Sequence, residues 1–180
     1  MIVRPFTEAD LAAVTAIYAA SVRNGTGTFE LDAPSADEMR ARLAAPAALR
    51  LPVLIAEIDG QVAGYAYAGP YRLRAAYRYM VEDSIYVSEA FRGRGVGKAL
   101  LHALLDACEA LGMRQMVAVI GDSANAGSIA LHAAAGFGRV GVLHAAGWKF
   151  DGWRDVVFMQ KSLGRGSGDP PDAQGLDCGR

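Results

Sequence analysis

The segment Arg92-Gly93-Arg94-Gly95-Val96-Gly97-Lys98 gathers glycine and positive charge at one point in the chain. Glycines at 93, 95 and 97 permit positive φ and let a ligand approach the backbone with no Cβ in the way. An amphipathic run follows, so the segment opens a helix whose unpaired N–H groups and positive dipole end face one spot. Arg92, Arg94 and Lys98 add cations there. The chemistry this suits is phosphate binding, and the bland alternative is a solvated glycine turn. A strand before, a helix after and the added arginines favour the phosphate. It is not the Mg-nucleotide of a Walker loop, because Ala99 follows Lys98 where a hydroxyl is needed. A dinucleotide fold presents its glycines on the first strand–helix unit, and here they lie past mid-chain.

Glu82 lies in a strand otherwise set for burial, where a carboxylate's raised pKa suits a general base near neutrality. On the strand pattern alone, a solvated Glu or one paired with Arg78 is the stronger reading. Arg72 and Arg74, beside a strand end, suit bidentate capture of a carboxylate or phosphinate, against the alternative of a solvated basic loop. Cys108 falls among leucines and reads as core, which disfavours an acyl-cysteine route.

These residues need elements to position them. After an N-terminal strand, Thr7 with Asp10 caps a helix carrying Leu11, Val14, Tyr18 and Val22, which Asn24-Gly25 breaks. Ser35 with Glu38 opens a second helix, expected to end near Pro46. Residues 53–58 and 61–68 predict a hairpin closed by a type I′ turn at Asp59-Gly60. A strand over 79–87 precedes the glycine segment, and an apolar-faced helix over 97–111 stops at Gly112. A strand over 116–120, a helix over 125–135 stopped by Gly136, and strands near 139–143 and 154–160 complete the chain. The order β, α, α, β, β, β, α, β, α, β, β implies a mixed α/β (α+β) sheet with helices on both faces.

At 180 residues, 52% hydrophobic and 21% charged, the chain bounds one domain with a real core. A formal charge of -1 without a basic tract argues against nucleic-acid or anionic-membrane partners. No signal-peptide pattern or apolar run long enough to span a membrane is seen, and Cys108 and Cys178 lie far apart. A cytoplasmic location is the expectation. The domain is expected over 1–163, with the Gly-, Pro- and Asp-rich residues 164–180 a disordered tail.

Residues 92–97 resemble the Q/R-x-x-G-x-G/A acyl-CoA loop of the GCN5-related N-acetyltransferases (GNATs), and the resemblance covers residues 2 to 161. It narrows to the phosphinothricin and methionine sulfoximine acetyltransferase branch on residues 28–30, 69–78, 81–87, 125–132, Gly136-Phe137, and Lys149-Phe150 with Trp153 and Asp155. Tyr79-Met80 departs from the His-Thr usual there, which leaves the acceptor open. The resemblance implies a mostly antiparallel twisted sheet of the GNAT fold, six to seven strands. Acetyl-CoA would be co-substrate, with no metal and a homodimeric assembly. Ile85, Tyr86 and Val87 would pair with the pantetheine arm, and residues Arg92, Gly93, Arg94, Gly95, Val96, Gly97 and Lys98 would hold the pyrophosphate. Asn125 and Ser128 complete the cofactor set, although Asn125 reads equally as a helix cap. Glu82 becomes the base. His132, on the helix after Asn125, could protonate or hydrogen-bond the leaving thiolate, or simply be satisfied by a backbone carbonyl. Phe29, Arg72, Arg74 and Tyr77 would bind the acceptor, a small amino-acid-like amine. Trp148, Lys149, Phe150 and Trp153 cluster before the last strand and suit a pocket mouth or a dimer contact, although aromatic residues serve equally in a core. The competing functions are a non-catalytic acyl-CoA-binding or sensor domain, a GNAT for another amine, and a nucleotide phosphotransferase.

Overall fold

The first strand of the chain, β1 (Ile2–Pro5), pairs with the second, β2 (Val53–Ile58), across an intervening pair of helices. A computed structural model describes residues 1–171 and 174–177. Asp10 accepts from the Thr7 backbone N–H at 2.8 Å and so holds the entry to α1 (Leu11–Asn24). In α2 (Ala36–Ala48), the Ser35 hydroxyl and Glu38 carboxylate cap one another's backbone. This helix continues past the expected stop at Pro46. The proline falls in the last turn, where its missing N–H costs one hydrogen bond, and its carbonyl accepts from Leu49 and Leu51 at 3.0 and 2.9 Å.

β2 returns as β3 (Gln61–Pro70) through Asp59 and Gly60, whose φ values of 51° and 76° suit the type I′ turn. Then come β4 (Met80–Val87), α3 (Val96–Ala110), β5 (Gln115–Gly121), α4 (Ala126–Ala134), β6 (Gly138–Trp148) and β7 (Trp153–Ser162). β6 runs five residues beyond the expected Leu143. A register shift at Leu143/Gly147, with Ala145 at φ 52°, absorbs the irregularity and lets pairing resume at Gly147 opposite Arg154.

The seven strands lie in the order β1-β2-β3-β4-β5-β7-β6. Every neighbouring pair is antiparallel except β4 and β5. Leu100, Leu101, Leu104 and Cys108 of α3 pack with Ala66, Val81 and Met116 on one face. Val14 and Val22 of α1 and Met39 and Leu43 of α2 pack with Ile55 and Tyr65 on the other. Because strand side chains alternate, Glu82 and Tyr86 face α1, while Asp83, Ile85 and Val87 face α3 and α4.

Residues 164–171 and 174–177, marked as a disordered tail by their composition, lie against this body. The buried Arg114 guanidinium donates to Gly166 O, Asp169 Oδ1 and Pro170 O at 3.4, 3.1 and 3.3 Å. Leu176 reaches the larger core cluster, and its N–H donates to Arg78 O at 2.8 Å. One apolar side chain and one buried cation in want of acceptors are enough to hold the segment. Cys178 lies outside the described residues; Cys108 is free and buried, its thiol pushed up to about 12 by burial and the Asp83 charge.

Candidate active site

β4 and β5 pair only from Met80↔Gln115 to Asp83↔Ala118, although β4 continues to Val87 and β5 to Gly121. Past Asp83 one edge of β4 is therefore without a strand partner, while its other edge stays bonded to β3 as far as Val87. A cavity of about 890 Å³ occupies the divergence. It is closed on one side by Asn24–Thr28 and on the other by the glycine segment and α4.

Gly93 and Gly95 have φ of 74° and 79°, and an added Cβ at either would meet nothing within 4 Å. Glycine is demanded there by backbone conformation rather than space, since the left-handed region costs an L-residue roughly 1–2 kcal/mol. Gly95 caps α3, and the helix's first bond runs from Ala99 N to Gly95 O at 3.0 Å. The amides of Val96, Gly97 and Lys98 are left to point at the cleft. Arg92 and Lys98 line it; Arg94 does not, because its guanidinium lies over the Phe91 ring at 5.1 Å. Cationic side chains on the loop thus number two at the cleft, not the expected three. Gly97 serves a different end, as a Cβ would come within 3.3 Å of Leu131 and push α3 from α4.

Asn125 caps α4 and also stands at the cleft. Its Oδ1 accepts from Ser128 N at 3.2 Å as the α4 cap, and the residue lines the cleft with Ser128. Ile85, Tyr86 and Val87 line it from the unpaired reach of β4. Glu82 lines it too and has no hydrogen-bond or ion-pair partner among the described residues; Arg78 lies over the Tyr79 ring at 5.5 Å. Burial, then the neighbouring Asp83 charge, raises the Glu82 pKa. His132 is 3% exposed. Its Nδ1 meets Ser128 O at 2.7 Å and its Nε2 meets Asp83 Oδ2 at 3.0 Å. An unpaired strand edge, a helix mouth rich in free amides and a buried carboxylate form one cleft, suited to an extended phosphorylated ligand and proton transfer.

Comparison with known proteins agrees. Residues 15–137 match the acetyltransferase (GNAT) family. The chain belongs to that family. A phosphinothricin N-acetyltransferase of Alcaligenes faecalis is 48% identical over 170 residues, covering 94% of this chain and 86% of the relative. An L-methionine sulfoximine/L-methionine sulfone acetyltransferase of Salmonella typhimurium is 39% identical over 163 residues, covering 91% and 95%. The crystal structure of a GNAT superfamily phosphinothricin acetyltransferase from Sinorhizobium meliloti in complex with AcCoA superposes with a TM-score of 0.92 at 47% identity, covering 94% of this chain and 92% of that one. This GNAT chain is accordingly an acyltransferase, and its mixed sheet is the family's fold.

The GNAT cleft does not gather the expected acceptor residues. Phe29 packs where a Cβ on Gly147 would come within 2.5 Å of its ring. Arg72 lies over Tyr71 at 5.2 Å, and Tyr71 meets Tyr77 edge-on at 5.6 Å. With Arg74 they sit on the exposed β3–β4 connection, and none of the four lines the cleft. The sequence assigns Asp83 no role and sets Lys149 only in the cluster before the last strand. Asp83 had a signal, a carboxylate in phase with Val81, Ile85 and Val87 on a buried strand face. Lys149 is buried, and its Nζ donates to Thr28 O at 2.8 Å, tying the β6–β7 turn to the cleft wall. Burial lowers its pKa, with Glu30 opposing; no local pattern marks that contact.

Proposed function

We propose that this chain transfers the acetyl group of acetyl-CoA to the amino group of a small amino-acid-like acceptor, of phosphinothricin, methionine sulfoximine or methionine sulfone type. Transfer is direct, with Glu82 as general base. The observation that carries the reading is the β4 edge left free past Asp83, which leads to the bare amides at the mouth of α3. Exposed strand edges pair with extended amides, so backbone groups of Ile85, Tyr86 and Val87 would hold the pantetheine arm. Amides from Gly93 to Lys98, with the Arg92 and Lys98 side chains, would hold the pyrophosphate, and Asn125 with Ser128 the arm's other side. Gly93 and Gly95, open where a Cβ would stand, fit such a group. Bound acetyl-CoA supplies the acyl group as a reactive thioester.

Glu82 takes the proton that an ammonium must lose before nitrogen can attack, directly or through water. Its raised pKa and lack of a competing partner support that role. The acceptor class rests on the relatives' names, whereas Phe29, Arg72, Arg74 and Tyr77 are proposed for acceptor recognition from the resemblance and from the fit of paired guanidinium groups to a carboxylate or phosphinate. Their present position outside the cleft requires a second copy of the chain or a movement of the loop. A homodimer fits the edge strand β6 and the exposed Leu143, Trp148, Phe150 and Trp153 near it. No helix among the described residues is long and apolar enough to cross a membrane; the proposed cytoplasmic location rests on two cysteines set far apart in the sequence, which suit a reducing compartment.

The test is thiol release from acetyl-CoA across phosphinothricin, methionine sulfoximine, methionine sulfone and ordinary amino acids, ranked by kcat/KM. One of the first three should lead the ranking. CoA binding with no thiol release above the blank would leave a binding domain, and a lead by an unrelated amine would retain the transfer and replace the acceptor.

A further inference from the structure

Asp83 and His132 are a buried acid–base pair on the cleft wall, and the general-base reading draws only on the Asp83 charge, which helps raise the Glu82 pKa. Asp83 is the last β4 residue paired with β5, so the pair stands where the strands part. The Nε2–Asp83 contact is the only side-chain hydrogen bond between α4 and β4 among the described residues. The Ser128 carbonyl and an ionised Asp83 carboxylate are both acceptors, at 2.7 and 3.0 Å, so each ring nitrogen donates to one of them, the Ser128 hydroxyl making the longer contact to Nδ1 at 3.4 Å. The Phe137 ring packs edge-on against the imidazole at 5.0 Å.

We propose that Asp83 is a positioning residue: with the Ser128 carbonyl it holds His132 doubly protonated and clasped to β4. The ring, part of the cleft wall, would then offer a departing thiolate a fixed positive charge and keep its protons through each turnover. This rests on the acyl-transfer reading of the cleft and replaces proton donation by His132 with electrostatic support. The clasp also sets the distance between α4, which carries Asn125 and Ser128, and the free edge of β4.

The surrounding ionisable groups do not compete for the ring. Glu82 points from the opposite face of β4, and Cys108 of α3 stays a neutral thiol. Burial pulls the imidazole's pKa down, but the Asp83 hydrogen bond and charge and the Ser128 carbonyl outweigh it, in keeping with the geometry.

The experiment is ¹⁵N NMR of the His132 ring in the whole protein without ligand, followed by pH–rate profiles. The wild-type ring should show two protonated nitrogens from pH 6 to 8. Asp83→Asn should make it titrate within that range. The kcat of this variant should then gain a fall as pH rises through the new pKa. His132→Gln, which keeps a donor without the charge, should lower kcat at neutral pH by ~10²-fold, the lower end for losing one preorganised electrostatic contact at the reacting centre. A wild-type ring with one bare nitrogen at pH 7, or an Asp83→Asn profile identical to wild type, overturns the proposal. If Asp83→Asn does not fold, an unchanged kcat in His132→Gln does so. Failure of the wild type to bind CoA at all would instead remove the acyl-transfer reading and leave the ring's protonation to be judged by NMR.

Discussion

Glu82 holds its proton more tightly than an ordinary glutamate because burial strips water from the carboxylate and Asp83 adds a like charge. Glu82→Gln should therefore lower kcat by ~10²–10⁴-fold while leaving the CoA Kd nearly unchanged, as steady-state kinetics and calorimetry will show. Wild-type kcat should rise with pH through that raised value. Stability moves the other way. A carboxyl whose folded pKa lies above its unfolded value near 4.3 destabilises the fold as pH rises through that interval, so Glu82→Gln should have a higher Tm at pH 7. His132, also raised, has the opposite sense. Its stabilisation is complete below about pH 6.5 and is lost as pH rises through the folded value. The role of Glu82 could be suggested from the sequence by its place in an apolar strand. The partner of His132 could not, because Asp83 is 49 positions away and reaches it only through the packing of α4 on β4.

Elements impose their own requirements. The loop before α3 needs left-handed backbone at Gly93 and Gly95, a demand that local sequence expresses directly. Gly95→Val should weaken CoA binding at least ~10-fold, since a β-branched side chain resists that φ by more than the ~1.4 kcal/mol per decade of affinity. Calorimetry on the folded variant checks it, and an unchanged Kd would remove the loop from the cofactor site. At the other end of the sheet, Asp10 accepts from both Arg4 terminal nitrogens, at 2.8 and 2.7 Å, and binds β1 to the start of α1. The Arg4 hydrogen bonds, opposed by burial and aided by Thr7, bring its carboxyl down to about 2. Asp10→Asn should cost about 2 kcal/mol at pH 7, the range for hydrogen bonds to a charged group. Urea titrations should find that difference intact above about pH 4 and shrinking as pH falls toward 2. The end of α2 and the irregularity in β6 were not legible, because a proline in a last turn and a strand bulge are tolerated only when neighbouring packing holds them.

In the whole molecule, the segment after β7 closes over Arg114 and lays Leu176 into the core. Leu176→Ala should cost about 2 kcal/mol in urea unfolding, the lower end for a buried leucine. An unchanged midpoint would return the segment to the status of a loose tail. If the apolar surface beside β6 joins two copies, sedimentation should give a species of about twice the 19.0 kDa chain mass, and Trp153→Glu should shift it toward one copy. A monomeric wild type at micromolar concentration would oblige the β3–β4 connection to reach the cleft by its own movement.

The order of elements, the glycine loop and the membership of the chain in an acyltransferase family were all readable from residues in a row, because helix period, turn geometry and free helix amides are properties of short segments. What the tertiary structure alone decided was which surfaces meet. It parted β4 from β5 after Asp83, engaged both nitrogens of His132, turned Arg94 onto Phe91 and kept Arg72 and Arg74 away from Glu82. Each is a contact between stretches or rings whose relative placement depends on the packing of the entire sheet, and no local pattern encodes it.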